Sequence, residues 1–183
     1  MIIIFSGPSG VGKNTVINKL LENTDRFDIL PTLTTRDKRE NEKEGNPYFF
    51  VSREEFEKRI ENNEFYEYEK VHNNYYGTSK LVTAQRLKTN KILLKDIDVL
   101  GTLNLKKTLG QDTELVTIFL TVEKTVLNQR LINRGESSSA IELRLSRFEL
   151  EEEYKDKYDY VVYNDDLNAT LDKVEEIIQK SLS

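Results

Sequence analysis

GPSGVGKNT, residues 7–15, follows directly on the apolar run IIIF of residues 2–5 and leads into the helical pattern NTVINKLLEN of residues 14–23. A short buried strand, a glycine-rich turn and a helix are the setting that a phosphate-binding loop of the form G-x-x-x-x-G-K-[ST] demands. The glycines let the backbone curl so that successive N–H groups point at phosphate oxygens. Lys13 adds a full charge, and the helix beginning at Asn14 turns its positive end toward the anion. Ser9, Gly10, Val11, Gly12, Lys13, Asn14 and Thr15 are therefore the candidate phosphate-holding residues. One position departs from the pattern: Asn14 stands where a hydroxyl residue usually helps to hold Mg²⁺. It offers an amide oxygen instead, with Thr15 one step on.

Outward from this loop, further strand-like runs are KILLKDIDV (91–99), ELVTIFL (114–120) and YDYVVY (158–163). The helical patterns are GTLNLKKTL (101–109), EKTVLNQRLINR (123–134) and LNATLDKVEEIIQKSL (167–182). Near-continuous apolar strands alternating with helices predict an α/β fold with a central parallel sheet flanked by helices. Residues 32–82 break the rhythm. Their short alternating pieces around the helical pattern REEFEKRIEN predict a small inserted β-rich lobe. A second interruption, RGESSSAIELRLSRFELEEEY (134–154), reads as a mobile segment leading into a highly charged helix.

Composition narrows the function. The 183 residues carry 27 Lys+Arg against 32 Asp+Glu, a net charge of −5, which is a poor match to nucleic-acid or membrane surfaces. With no cysteine there is no disulfide, thiolate metal site or Cys nucleophile. The single histidine, His72, is expected on a loop or the surface. The apolar start is too short for a signal peptide or a membrane span, so a cytoplasmic protein is the expectation.

Two further features carry chemistry. Strand alternation through Asp96-Ile97-Asp98 puts the two carboxylates on one face at a strand end, where open α/β sheets bind ligands and where an acid commonly organises Mg²⁺ through water. In TTRDKRENEKEGNPYFFVS (34–52), Arg36 and Arg39 form a guanidinium pair suited to a dianionic phosphate. Taken alone, that stretch reads as a solvated charge run.

At this point the sequence resembles the guanylate kinase family. The resemblance is carried, in order, by SGPSGVGK, TTRDKRENEKEGNPYFFVSREEFE, NNEFYEYEKVHNNYYGTS, LLKDIDVLG, NRGESSSAIELRL and YDYVVYNDDL. It implies one domain whose core, residues 1–31 and 83–183, holds the ATP site, with a GMP-binding subdomain at 32–82 and a lid at 134–154. Arg36, Arg39, Tyr48 and Tyr76 match the positions that grip the GMP phosphate, and Glu42 an acid that supports the arginine pair. Thr32, Glu67, Thr78 and Asp98 match those around the guanine. Arg134 and Arg144 match the lid arginines over the transferring phosphoryl group, with Arg130 one helical turn before Arg134. Asn164 lies in a loop resembling the adenine-side wall of the family's ATP site.

The resemblance implies transfer of the ATP γ-phosphoryl group to GMP, and also to dGMP, with Mg²⁺ held by Asn14 and, through water, Asp96. Lys13, Arg36, Arg134 and Arg144 would carry the catalytic charge. The partners implied are nucleotides, with no nucleic acid or membrane, and a monomer or a homodimer. Guanine shows N1–H and N2–H₂ donors beside an O6 acceptor. Carboxylates at Glu67 and Asp98 suit the donors, and hydroxyls at Thr32 and Thr78 suit O6. Departures from the family pattern are Asn14, Leu100 in place of a usual Gln, Thr32 and Thr78 where Ser is frequent, and a lid one residue shorter. The competing readings are a guanylate-kinase-like interaction module that has lost catalysis, and a relative that phosphorylates another nucleotide or a ribosyl phosphate.

Overall fold

In the computed structural model, which describes residues 1–71, 73–110 and 113–182, the opening apolar run becomes β1 (Ile2–Ser6), with every residue buried. His72 lies outside the described residues. The loop follows, and then α1 (Lys13–Asn23). The chain continues through β2 (Phe27–Ile29), β3 (Thr32–Thr34), β4 (Lys43–Glu44), β5 (Pro47–Phe50) and α2 (Arg53–Glu61). Next come β6 (Phe65–Val71), β7 (Asn74–Ser79), α3 (Lys80–Leu87), β8 (Ile92–Asp96) and α4 (Val99–Leu109). It ends with β9 (Leu115–Thr121), α5 (Lys124–Asn133), α6 (Ser138–Glu152), a short 3₁₀ turn, β10 (Tyr160–Tyr163) and α7 (Leu167–Ser181).

The strands make two sheets. The first runs in the order β10-β9-β1-β8-β2, with β10 parallel to β9 and β2 parallel to β8. Its inner strands are the near-continuous apolar runs, as burial on both faces requires. β10 is half-exposed, as befits an edge. The second sheet, from the inserted segment, runs β4-β5-β3-β7-β6. Here β3 pairs parallel with β5 and antiparallel with β7, and β6 and β7 form an antiparallel pair with a register shift between Phe65 and Glu67.

By contact density the chain divides into two compact units. One comprises residues 1–2, 25–95 and 100–115, and the other residues 3–24, 96–99 and 116–183. In the first, Leu33, Phe56 and Phe65 form a core onto which Phe49, Val51, Ile60, Tyr75 and Val82 pack. Phe56 is stacked between Phe65 and Tyr75, with ring centroids 4.4 and 5.2 Å away. Such pairs add about 0.5–1.5 kcal/mol each beyond area burial. In the second unit Val99, Phe119, Tyr158 and Tyr154 cluster, and α1 packs on α7.

Local chemistry places the helix starts. Ser52, Ser79, Ser137 and Asp166 cap α2, α3, α6 and α7, each accepting a hydrogen bond from a first-turn N–H. Two elements lay outside the sequence expectation: β2, three residues long, and α3, at the end of the inserted lobe. The strand around residue 96 also stops earlier than its apolar run. It ends at Asp96, and Asp98 is exposed one residue before α4, so strand alternation does not govern the two acids. No helix among the described residues is long and apolar enough to cross a membrane.

Candidate active site

In the first unit the register of the small sheet gathers the residues. Thr32 pairs with Tyr48, Thr34 with Tyr76 and Glu67 with Thr78. The Arg36 guanidinium donates to Glu42 Oε1 at 2.6 Å and to Asp37 O at 2.6 Å, and lies 5.3 Å over the Tyr48 ring and 5.5 Å over Phe50. Tyr48 and Tyr76 meet edge to face at 6.1 Å. Glu42 spends its second oxygen on the Arg39 N–H at 2.8 Å, which ties the loop down. The Arg36 hydrogen bond, with help from the Arg39 N–H, holds the Glu42 carboxyl below its usual range. The Arg36–Glu42 pair is therefore complete at neutral pH and is lost only as pH falls through that lowered value. Arg36, Glu42, Tyr48 and Tyr76 thus form one cluster. The Arg39 side chain stays exposed.

Beside it lies a buried polar pair. The Thr78 hydroxyl donates to Glu67 Oε1, with Thr78 at 0% and Glu67 at 9% exposure. Thr32 Oγ1 accepts from Lys95 Nζ at 2.8 Å. Lys95, fully buried on β8, is a residue that the sequence reading passed over as part of an apolar strand. The signal was present, since a lysine inside ILLKD interrupts an otherwise apolar run.

In the second unit the loop is built around glycine. Gly7 (φ +122°) and Gly12 (φ +104°) sit in the left-handed region that side chains disfavour. A Cβ at Gly7 would stand 2.0 Å from Leu120 O, and one at Gly12 would stand 2.4 Å from Asn164 Nδ2. Lys13 arches back to donate to Gly7 O at 2.6 Å and Pro8 O at 3.3 Å. Asn14 and Thr15 are exposed on the first turn of α1, and Gly12, its N-cap, has no side chain to occupy the helix N–H groups.

Asn164 Nδ2 donates to Val11 O at 2.7 Å, and Arg130 reaches Asn164 O at 2.7 Å and Val11 O at 3.4 Å. These two residues therefore buttress the loop from outside. Arg144 donates to Ser9 Oγ and, through Nε, to Glu136 at 2.6 Å. Arg134 is exposed, with Nη1 4.0 Å from where a Cβ on Gly10 would stand. Asp96 is half-buried and Asp98 exposed.

A group missed from sequence is Glu151 on α6. Burial raises its carboxyl above the usual range, Lys13 opposes that shift, Asp98 adds to it and Arg147 opposes it. In the sequence it is one of several acids in ELEEE, and nothing there distinguishes it. A cavity of about 530 Å³ lies elsewhere in the same unit, between α5 and α6. Ile132, Ile141 and Leu145 line it, with none of the expected site residues.

Comparison with known proteins gives consistent matches. The family model described as "Guanylate kinase" matches residues 1–181. The guanylate kinase of Chlorobaculum tepidum is 41% identical over 174 residues, covering 94% of this chain and 89% of that protein. That of Bacteroides thetaiotaomicron is 40% identical over 187 residues, covering 100% and 90%. The crystal structure of guanylate kinase from Anaplasma phagocytophilum superposes with a TM-score of 0.75 at 30% identity, covering 98% of this chain and 85% of that one.

Proposed function

This chain belongs to the guanylate kinase family, the nucleoside monophosphate kinases that transfer a phosphoryl group from ATP to GMP, and we propose the following division of labour among its residues. The loop of residues 9–15 holds the ATP phosphates through backbone N–H groups and Lys13. Arg130 and Asn164 border the adenine side. Arg36, Arg39, Tyr48 and Tyr76 grip the GMP phosphate, with Glu42 orienting Arg36. Thr32, Glu67, Thr78 and Asp98 read the guanine.

The observation that carries the acceptor assignment is the Glu67–Thr78 pair, a carboxylate only 9% exposed and oriented by a buried hydroxyl. Guanine offers donors to such an acid. Adenine would leave it facing a ring nitrogen with no proton, and sites built on hydrogen bonds reject such analogues strongly.

In the reaction a GMP phosphate oxygen forms a bond to the ATP γ-phosphorus while the bond to the β–γ bridging oxygen breaks. GDP and ADP result. The attacking oxygen is ionised near neutral pH, since a phosphate monoester loses its second proton near pH 6, so no general base is required. Lys13, Arg36, Arg134 and Arg144 hold the phosphates in line and balance the charge that spreads over the transferring group. A Mg²⁺ ion accompanying ATP is held largely by phosphates and water, so one or two protein oxygens suffice. Asn14 and, through water, Asp96 suit that donor set, and the ion would neutralise phosphate charge there. A cytoplasmic location fits these substrates, and dGMP is expected to serve as an acceptor too.

A coupled assay of ADP release tests the assignment. Turnover should require GMP together with Mg–ATP, and AMP in place of GMP should be turned over at least about a hundredfold less efficiently. Equal use of AMP would contradict the guanine assignment.

A further inference from the structure

Lys95 has no part in the chemistry above, yet its position is unusual. It lies on β8 between Leu94 and Asp96, and its side chain is fully buried. Burying an ammonium group is costly, and an apolar side chain would fill an interior strand position at lower cost. Its Nζ donates to Thr32 Oγ1 at 2.8 Å, within one compact unit.

The direction of that hydrogen bond matters. A lysine ammonium has three donors and no acceptor, so the Thr32 oxygen must accept and its own proton is left for another acceptor. Polarisation by the cation makes that hydroxyl a stronger donor. Thr78, the other hydroxyl expected to serve the base, has its proton committed to Glu67. The two threonines, equivalent in the sequence, are therefore opposite in hydrogen-bonding sense. Thr78 presents lone pairs, and Thr32 presents a proton.

We propose that Lys95 is a specificity-determining residue, which by feeding the Thr32 oxygen turns that hydroxyl into a fixed donor for the 6-oxo group of the acceptor purine. This rests on the reading that Thr32 borders the guanine. An oxo group at C6 completes the chain from ammonium to hydroxyl to base. A 6-amino group sets donor against donor and is rejected. Lys95 is thus a positioning residue, acting through Thr32 without touching the reacting phosphates.

The test compares GMP with its 6-thio analogue, which keeps the N1 and N2 donors but replaces O6 by a weaker acceptor. Lys95→Met and Thr32→Val should each lower kcat/KM for GMP by about tenfold, through KM, and change that for the 6-thio analogue by less than about threefold. The double variant should be no worse than either single one, because both remove one chain of hydrogen bonds. Lys95→Gln, which keeps a donor, should retain part of the discrimination. KM for ATP should not move in any of them.

Thermal unfolding of each variant identifies any that fail to fold, and Lys95→Gln then carries the comparison alone. If Thr32→Val shrinks the preference for GMP while the lysine variants leave it intact, the role of Lys95 is overturned. So it is if they depress both substrates equally, or if the two substitutions add. If Thr32→Val itself leaves the GMP KM unchanged, the placement of Thr32 at the guanine is what fails, and the proposal fails with it.

Discussion

Glu67 and Glu151 show how differently two carboxylates can be used at the level of single residues. Glu67 is nearly inaccessible, and the Thr78 hydroxyl that donates to it orients one of its oxygens. Glu67→Gln keeps the shape but replaces one acceptor oxygen by a donor. Its kcat/KM for GMP should fall by about a hundredfold or more with KM for ATP unchanged, as initial-rate kinetics would show. Equal losses for both nucleotides would contradict the role. Glu151 holds its proton more tightly in the folded state than an exposed acid does, chiefly because of burial. Its neutral form therefore contributes stability that is complete below the ordinary carboxylate range and is lost as pH rises through the raised value. Glu151→Gln should raise the melting temperature by roughly 1–3 °C at pH 7 and converge with the wild type near pH 4. A gain at acid pH alone would invert the assignment. Spacing made the pair Arg36 and Arg39 and the loop residues legible in the sequence, and the family resemblance implied Glu42. Lys95 and Glu151 were not, because what sets them apart is burial, which a strand letter or one acid among several does not reveal.

At the level of elements, the loop between β1 and α1 depends on backbone angles that only glycine adopts readily. Gly12→Ala combines a strained φ of +104° with an approach of 2.4 Å to Asn164 Nδ2. It should cost roughly 1–3 kcal/mol of stability in denaturant titrations. KM for ATP should rise by about tenfold or more while KM for GMP stays, because the proposed assignment gives the displaced N–H groups to the donor phosphates. Unchanged ATP kinetics would remove Asn164 and Gly12 from the donor site. The longer helices were legible from an apolar period that extends over many residues, and the inner strands from near-continuous apolar runs. β2 was not, since three residues carry no period, and α3 was hidden at the end of a segment whose other pieces alternate as strands. The strand ending at Asp96 was overestimated for a related reason. Apolar letters recur at alternate positions, Ile97 and Val99, but Val99 is buried as the first residue of α4 rather than as part of β8.

At the scale of the whole molecule, each compact unit has its own hydrophobic cluster and its own set of expected ligand residues. Hydrogen exchange read by mass spectrometry should therefore separate the two nucleotides. GMP should slow exchange in β3, β5 and β7, and Mg–ATP in residues 7–15 and α5. Either nucleotide at about a hundred times its dissociation constant should raise the melting temperature by roughly 5–10 °C. Protection by GMP confined to the loop of residues 7–15 would reverse the site assignment. The sequence by itself determined the α/β class, the phosphate-loop motif and the β-rich character of the inserted segment, because apolar patterning and motif spacing are local properties; the residues expected around each nucleotide came from the family resemblance. Only the tertiary structure decided which hydroxyl gives its proton and which accepts one, that Lys95 stands behind Thr32, and that Asn164 and Arg130 brace the loop opened by GPSGVGKNT. Those facts depend on strand register and burial, which join residues 63 positions apart for Lys95 and Thr32 and 153 apart for Asn164 and Val11.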